Sequence, residues 1–134
     1  MKSMNLKTLV ACSMLVLFGL ALMSYVAPQK WVAPAKYKTM KNPVKSDATS
    51  LASGKELWNK NCASCHGKAG LGDGPKARTL ETNPGNFSKD LTAQADGDLF
   101  YKTKTGKGEM PKYEGKLSDD EVWHLVNFMR TFKK

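Results

Sequence analysis

The sequence predicts an all-α protein, a small domain of about three to five helices preceded by one N-terminal transmembrane helix. Three observations predict it. An uncharged run of 20 residues follows two N-terminal lysines, and as a helix it crosses one hydrocarbon core. From residue 49 onward apolar residues recur at helical intervals, without the alternation of strands. The last such segment opens on a capping box and carries one apolar face.

Length and charge narrow the function classes. A chain of 134 residues holds one small domain with an appendage, and excludes a pair of large catalytic domains. Apolar residues at 41% and charged residues at 25% exclude a wholly disordered chain. The net charge of +9 is unevenly placed. Residues 1–45 hold seven lysines and no acid, which leaves 14 basic and all 12 acidic groups to residues 46–134. A nucleic-acid-binding domain needs a basic face on its folded part. That excess is missing, so nucleic acid is not an expected partner. The basic stretch reads as a solvated linker or as a segment drawn to anionic headgroups. Three cysteines, an odd number, make no disulfide scaffold.

The elements come in order. Residues 1–7 are a basic flank with Lys2 and Lys7. Residues 8–27, from Thr8 to Ala27, are a transmembrane anchor or an uncleaved signal. A cleaved signal peptide shares the basic start but ends on small residues at −1 and −3. Ala27 at −1 puts Tyr25 at −3 and Pro28 at +1, and Ala33 puts Trp31 and Pro34 there. Both sites are poor, so retention is expected. Leu9-Val10-Ala11-Cys12 resembles a lipoprotein signal, yet most of the apolar run lies after Cys12. Cys12 reads as a small apolar residue of the helix.

Residues 28–48 contain Pro28, Pro34 and Pro43 among five lysines, without helical or strand period. They read as a Pro-stiffened tether with a reach of roughly 65–70 Å. Its lysines outnumber those of the N-terminal flank, and the positive-inside rule alone would keep it in the cytoplasm.

Residues 49–134 form the folded domain. Leu51, Leu57 and Trp58 share one face of a first helix, which Thr49, Ser50 or Ser53 would cap. Asp96 precedes Leu99, Phe100 and Tyr101, and Gly106 ends that helix. Ser118-x-x-Glu121 opens the last helix, where Val122, Leu125, Val126, Met129 and Phe132 align. Between them lie loops 67–90 and 104–117, rich in Gly, Pro and Lys. So small a core needs something large and apolar at its centre.

Cys62-Ala63-Ser64-Cys65-His66 supplies it. C-x-x-C-H is the attachment sequence of c-type haem: two thiols form thioethers with the vinyl groups, and the adjacent imidazole reaches the iron. A thioredoxin-like dithiol wants its C-x-x-C at the start of a helix after a strand, whereas this one ends a helix. A structural zinc site wants four ligands, and the other histidine is His124.

The domain resembles the class I monohaem cytochromes c, of the membrane-anchored bacterial type. The resemblance is carried by Gly54-Lys55-x-Leu57-Trp58, Gly72-Asp73-Gly74-Pro75, Gly106-x-Gly108-x-Met110-Pro111 and Val122-Trp123-His124-Leu125-Val126-Asn127-Phe128-Met129-Arg130. Trp31 to Val44 is similar to the lead-in of some anchored members. The resemblance implies a small cytochrome c fold around one covalent haem c. It implies that a proline carbonyl nine residues beyond the ligating histidine orients it, which here is Pro75, although Pro75 also fits an ordinary turn. It implies that Gly54 and Trp58 meet Leu125, Phe128 and Met129 where the first helix crosses the last.

The second axial ligand emerges by elimination. Haem iron in an electron carrier is six-coordinate, commonly with His and Met. Of seven methionines, Met1, Met4, Met14 and Met23 lie at the membrane end, Met40 in the tether and Met129 on a core face. Met110 stands in a Gly-rich loop before Pro111, which also matches the family position. His124 reads as a surface histidine. Phe87, Tyr101 and Tyr113 are candidates to line the haem, and Arg78 to approach a propionate or remain solvated. Trp123 reads as a partner contact or as packed under a loop.

With His66 and Met110 on the iron no coordination site is open, so the expected function is one-electron transfer between membrane respiratory complexes, not enzymatic turnover. Expected partners are redox proteins and the inner membrane. Haem attaches outside the cytoplasm, which places the domain in the periplasm on a single-pass anchor, against the lysine count. A fixed haem c subunit of an oxidase or reductase complex is the alternative. A peroxidase-like or gas-sensing haem protein is a more distant one.

Overall fold

The computed structural model describes Asn5 and residues 31–133. The expected membrane segment 8–27 and Cys12 lie outside the described residues. Among those described, no helix is long and apolar enough to cross a membrane. The chain divides into residues 1–31 and 32–134, and all the described helices belong to the second unit.

Six helices are described: α1 (Ala35–Lys38), α2 (Ala48–Asn61), α3 (Ala63–His66), α4 (Phe87–Asp90), α5 (Asp96–Thr105) and α6 (Asp119–Arg130), with short 3₁₀ turns at Ala77–Thr79 and Leu91–Ala93. No named strand occurs among the described residues, only isolated bridges such as Lys107 with Met110.

The long helices α2 and α6 build the frame. The cap of α2 is Asp47, which accepts from Ser50 N at 3.0 Å, rather than a later serine or threonine. α6 has the expected box: Ser118 Oγ accepts from Glu121 N, and Glu121 Oε2 accepts from Ser118 N at 2.8 Å. Val122, Leu125, Val126 and Met129 of α6 are buried, with Trp58 of α2 at 1% exposure. The crossing turns on Gly54. A Cβ there would collide with the carbonyl of His124 and lie 2.7 Å from Phe128 Cβ, so a side chain would force the helices apart. The Gly54–Trp58 crossing expected from the resemblance is thus present.

The segment before α2 departs from the expected tether. Residues 32–47 belong to the same unit as the domain and lie along it as a strap. Ala33 is buried, and the Tyr37 ring lies 4.7 Å from that of Tyr101. Asn42 Nδ2 donates to Trp123 O and to Asn127 Oδ1. Asn127 Nδ2 donates to Val44 O and to Ser50 Oγ. The reason is specific hydrogen bonding. Asn127 and Ser50 are 7% and 2% exposed, and buried polar groups need partners, which the strap helps provide. The strap side of α6 also explains Trp123. It is 5% exposed and stacks on Phe100 at 4.2 Å, so it is packed rather than offered to a partner.

Candidate functional site

Cys62 caps α2 and opens α3. Its N–H still donates to Trp58 O at 2.8 Å, while its own carbonyl accepts from Cys65 N at 3.2 Å and His66 N at 2.9 Å. This single turn brings Cys62, Cys65 and His66 together, as the spacing requires. Both thiols are free and half-buried. The following loop folds back over α3, with Gly74 N donating to Cys65 O and Lys76 N to Ser64 O.

The His66 ring forms a cluster with two aromatic rings, Phe87 at 5.0 Å and Trp58 at 5.7 Å, which also touch each other at 5.6 Å. Trp58 Nε1 donates to Gly67 O at 3.0 Å, which fixes the chain directly after His66. Burial pulls the His66 pKa below the ordinary histidine value, partly opposed by the backbone carbonyl of Pro84. That carbonyl bears on the ring without completing a hydrogen bond to Nδ1, which is buried and unpartnered. Pro75, the expected source of the orienting carbonyl, is exposed and follows Gly74 over the Ser64–Cys65 backbone. The carbonyl facing His66 belongs to Pro84 because the loop runs along α3 before turning back at Asn83-Pro84-Gly85. The Asx turn that Asn83 makes with Gly85 N was a readable signal for that turn.

Met110 is half-buried in the loop between α5 and α6. Its loop is tied to the cysteine turn through Tyr113, whose OH donates to Asn61 O at 2.7 Å. Tyr113 lies beside the two thiols: burial, then the charges of Cys62 and Cys65, push its phenol up to about 12. Burial, then Cys65, pushes the Cys62 thiol up to about 12. A dithiol for redox exchange needs the opposite, a thiolate stabilised near neutral pH.

Other candidates fall away from this turn. Tyr101 pairs with the strap, and Arg78 is exposed. His124 is no free surface histidine, since Nδ1 lies 2.8 Å from Ser50 Oγ. Among the described residues no three of His, Cys, Asp or Glu converge on a bare metal ion.

The residues fit a covalent haem. Two unpaired thiols stand one turn apart, with the imidazole next in sequence. The Nδ1 of that imidazole is buried and without a hydrogen-bond partner, an orphaned polar atom at the site.

Comparison with known proteins agrees. Residues 49–129 match the family described as cytochrome c oxidase, cbb3-type, subunit III. Cytochrome c6 of Leptolyngbya boryana is 37% identical over 78 residues, covering 58% of this chain and 87% of that protein. Cytochrome c6 of Diacronema lutheri is 29% identical over 82 residues, covering 59% and 92%. A chain of the reducing HAO-like protein complex of Kuenenia stuttgartiensis superposes with a TM-score of 0.64 at 25% identity, over 82% of this chain and 53% of that one. This chain therefore spans about half the length of that solved one. It belongs to the cytochrome c family of the cbb3-type subunit III description, as a monohaem class I c-type cytochrome with one covalent haem c at Cys62 and Cys65.

Proposed function

We propose that the protein carries single electrons between membrane respiratory complexes, with the haem iron held between His66 and Met110. When bound, haem c supplies a one-electron iron couple. The chain's own residues determine how that couple is used. Cys62 and Cys65 anchor the group for life, so it is never exchanged. His66 is oriented by its packing on Phe87 and Trp58 and by the bond that fixes Gly67. Met110 would supply the second ligand to the iron, which would leave no open site for substrate. A thioether ligand in apolar surroundings favours the reduced state and raises the potential.

The observation that carries this reading is the single turn Cys62–His66, with the Met110 loop fastened to its start through Tyr113. The test is carbon monoxide added to the reduced protein. A closed iron resists it, and rapid binding would support a peroxidase-like or gas-sensing role instead.

The membrane setting is part of the proposal. An anchor over residues 8–27 would hold the domain on the periplasmic face, where haem attachment takes place. Protease added to intact spheroplasts should then release a haem-bearing fragment, and release only after lysis would refute that orientation.

A second reading, a fixed subunit of an oxidase or reductase complex, is favoured by the family description and by the complex to which the solved relative belongs. Extraction in mild detergent separates the two: a free carrier elutes alone, a subunit with its complex.

A further inference from the structure

We propose that Glu109 is a positioning residue for Met110, tying the loop that carries the methionine to the loop that faces His66. The inference rests on the His66 and Met110 ligation proposed above.

Thr82 N donates to Glu109 Oε2 at 3.1 Å, joining residues 27 apart in sequence. Each partner is close along the chain to a residue of the site. Glu109 directly precedes Met110, and Thr82 lies five residues before Phe87, whose ring is 5.0 Å from that of His66.

Both ends of the bond are on stiff backbone. Lys107 and Met110 exchange two hydrogen bonds of 3.0 Å each. Gly108, between them, has φ +57, and Glu109 has an ordinary negative φ. That is the two-residue type II′ hairpin turn, for which Gly at the first central position is required. The turn fixes Glu109 and Met110 relative to each other, so holding the carboxylate also holds the thioether. On the other side, Asn83 Oδ1 accepts from Gly85 N at 2.8 Å, an Asx turn that begins directly after Thr82. Among the described residues, the other hydrogen bonds of 107–112 are the two of the hairpin itself. The tie to Thr82 thus holds the hairpin tip, while Tyr113 holds the base of the same loop.

A ligand carried on a loop stays in place only as long as the loop stays closed, and exposed loops open locally without global unfolding. Losing one exposed hydrogen bond to a carboxylate should raise that opening equilibrium about three- to tenfold.

The test uses the haem-loaded full chain and the variants Glu109→Ala, Glu109→Gln and Met110→Ala. Two readouts are followed: hydrogen exchange of the segment containing the Thr82 amide, and the urea concentration at which the thioether-to-iron charge-transfer band is lost. The second is compared with the loss of helical circular dichroism. Glu109→Ala should speed exchange about three- to tenfold and lose the band at lower urea, with the helical midpoint unchanged. Glu109→Gln keeps an oxygen acceptor and should restore both. Unchanged exchange and band loss in Glu109→Ala would overturn the proposal. So would band and helices shifting together, which marks a general structural role. Met110→Ala separates the two levels. Absence of the band there upholds the ligand assignment, whereas its retention brings down that assignment and this inference with it.

Discussion

Trp58 Nε1 donates a 3.0 Å hydrogen bond to the carbonyl of Gly67, the residue immediately after His66. One side chain thus serves both the core and the site. Its ring packs against Phe87, Phe128 and Phe132, and its single polar atom ends the haem-binding turn. Trp58→Phe should keep most of the packing and leave a buried carbonyl unpaired, a cost of about 1–3 kcal/mol. Urea unfolding of the haem-bearing protein checks this. Equal stability of variant and parent would show that water replaces the indole.

Asn127 joins the strap to the helical frame. Replacing it with Ala strands Val44 O, leaves Ser50 Oγ with His124 alone, and should cost about 2–3 kcal/mol. Asn42→Ala, on the more exposed side of the same network, should cost about 1 kcal/mol. Because the two side chains bond directly at 2.8 Å, the double variant should lose less than the sum. Strict additivity in denaturant melts would show that the strap contributes nothing through this pair.

The crossing at Gly54 leaves no room for a methyl group. Gly54→Ala should destabilise by about 3 kcal/mol through overpacking, although Ala favours helix more than Gly does. A stabilised variant would mean that α2 and α6 separate freely.

Glu121 gives a pH dependence with a defined sign. Its carboxyl is held below the ordinary value by the backbone N–H of Ser118, then by the Ser118 hydroxyl. A depressed folded pKa contributes stability above the unfolded pKa, lost as pH falls through the folded value. The stability difference between parent and Glu121→Gln should therefore be constant near neutrality and shrink in acid. A difference that grows on acidification would contradict the capping role.

Much of this was legible in the sequence, and the reasons differ by element. α6 was readable because its stripe, its Ser118-x-x-Glu121 box and its buried face are local and periodic. The Cys62–His66 turn was readable because the chemistry fixes its spacing. The strap was not. Its lysines and prolines have no period, and it docks through Asn42, whose partners lie 81 and 85 residues away. Trp123 was ambiguous for a similar reason, since the ring that stacks on it, Phe100, belongs to another helix. Asp47 outcompeted the serines as cap of α2 because Ser50 is engaged by Asn127 and His124.

The central claim is that Met110 completes the iron site opposite His66. The most direct measurement is the optical spectrum of the oxidised Met110→Ala protein beside that of Met129→Ala. Met110→Ala should keep its covalent haem through Cys62 and Cys65, lose the thioether-to-iron charge-transfer band, show a lowered potential and bind carbon monoxide readily once reduced. Met129, buried on α6, should keep the band when truncated and lose about 2–5 kcal/mol of stability instead. A band that persists in Met110→Ala, or that vanishes only in Met129→Ala, would contradict the account.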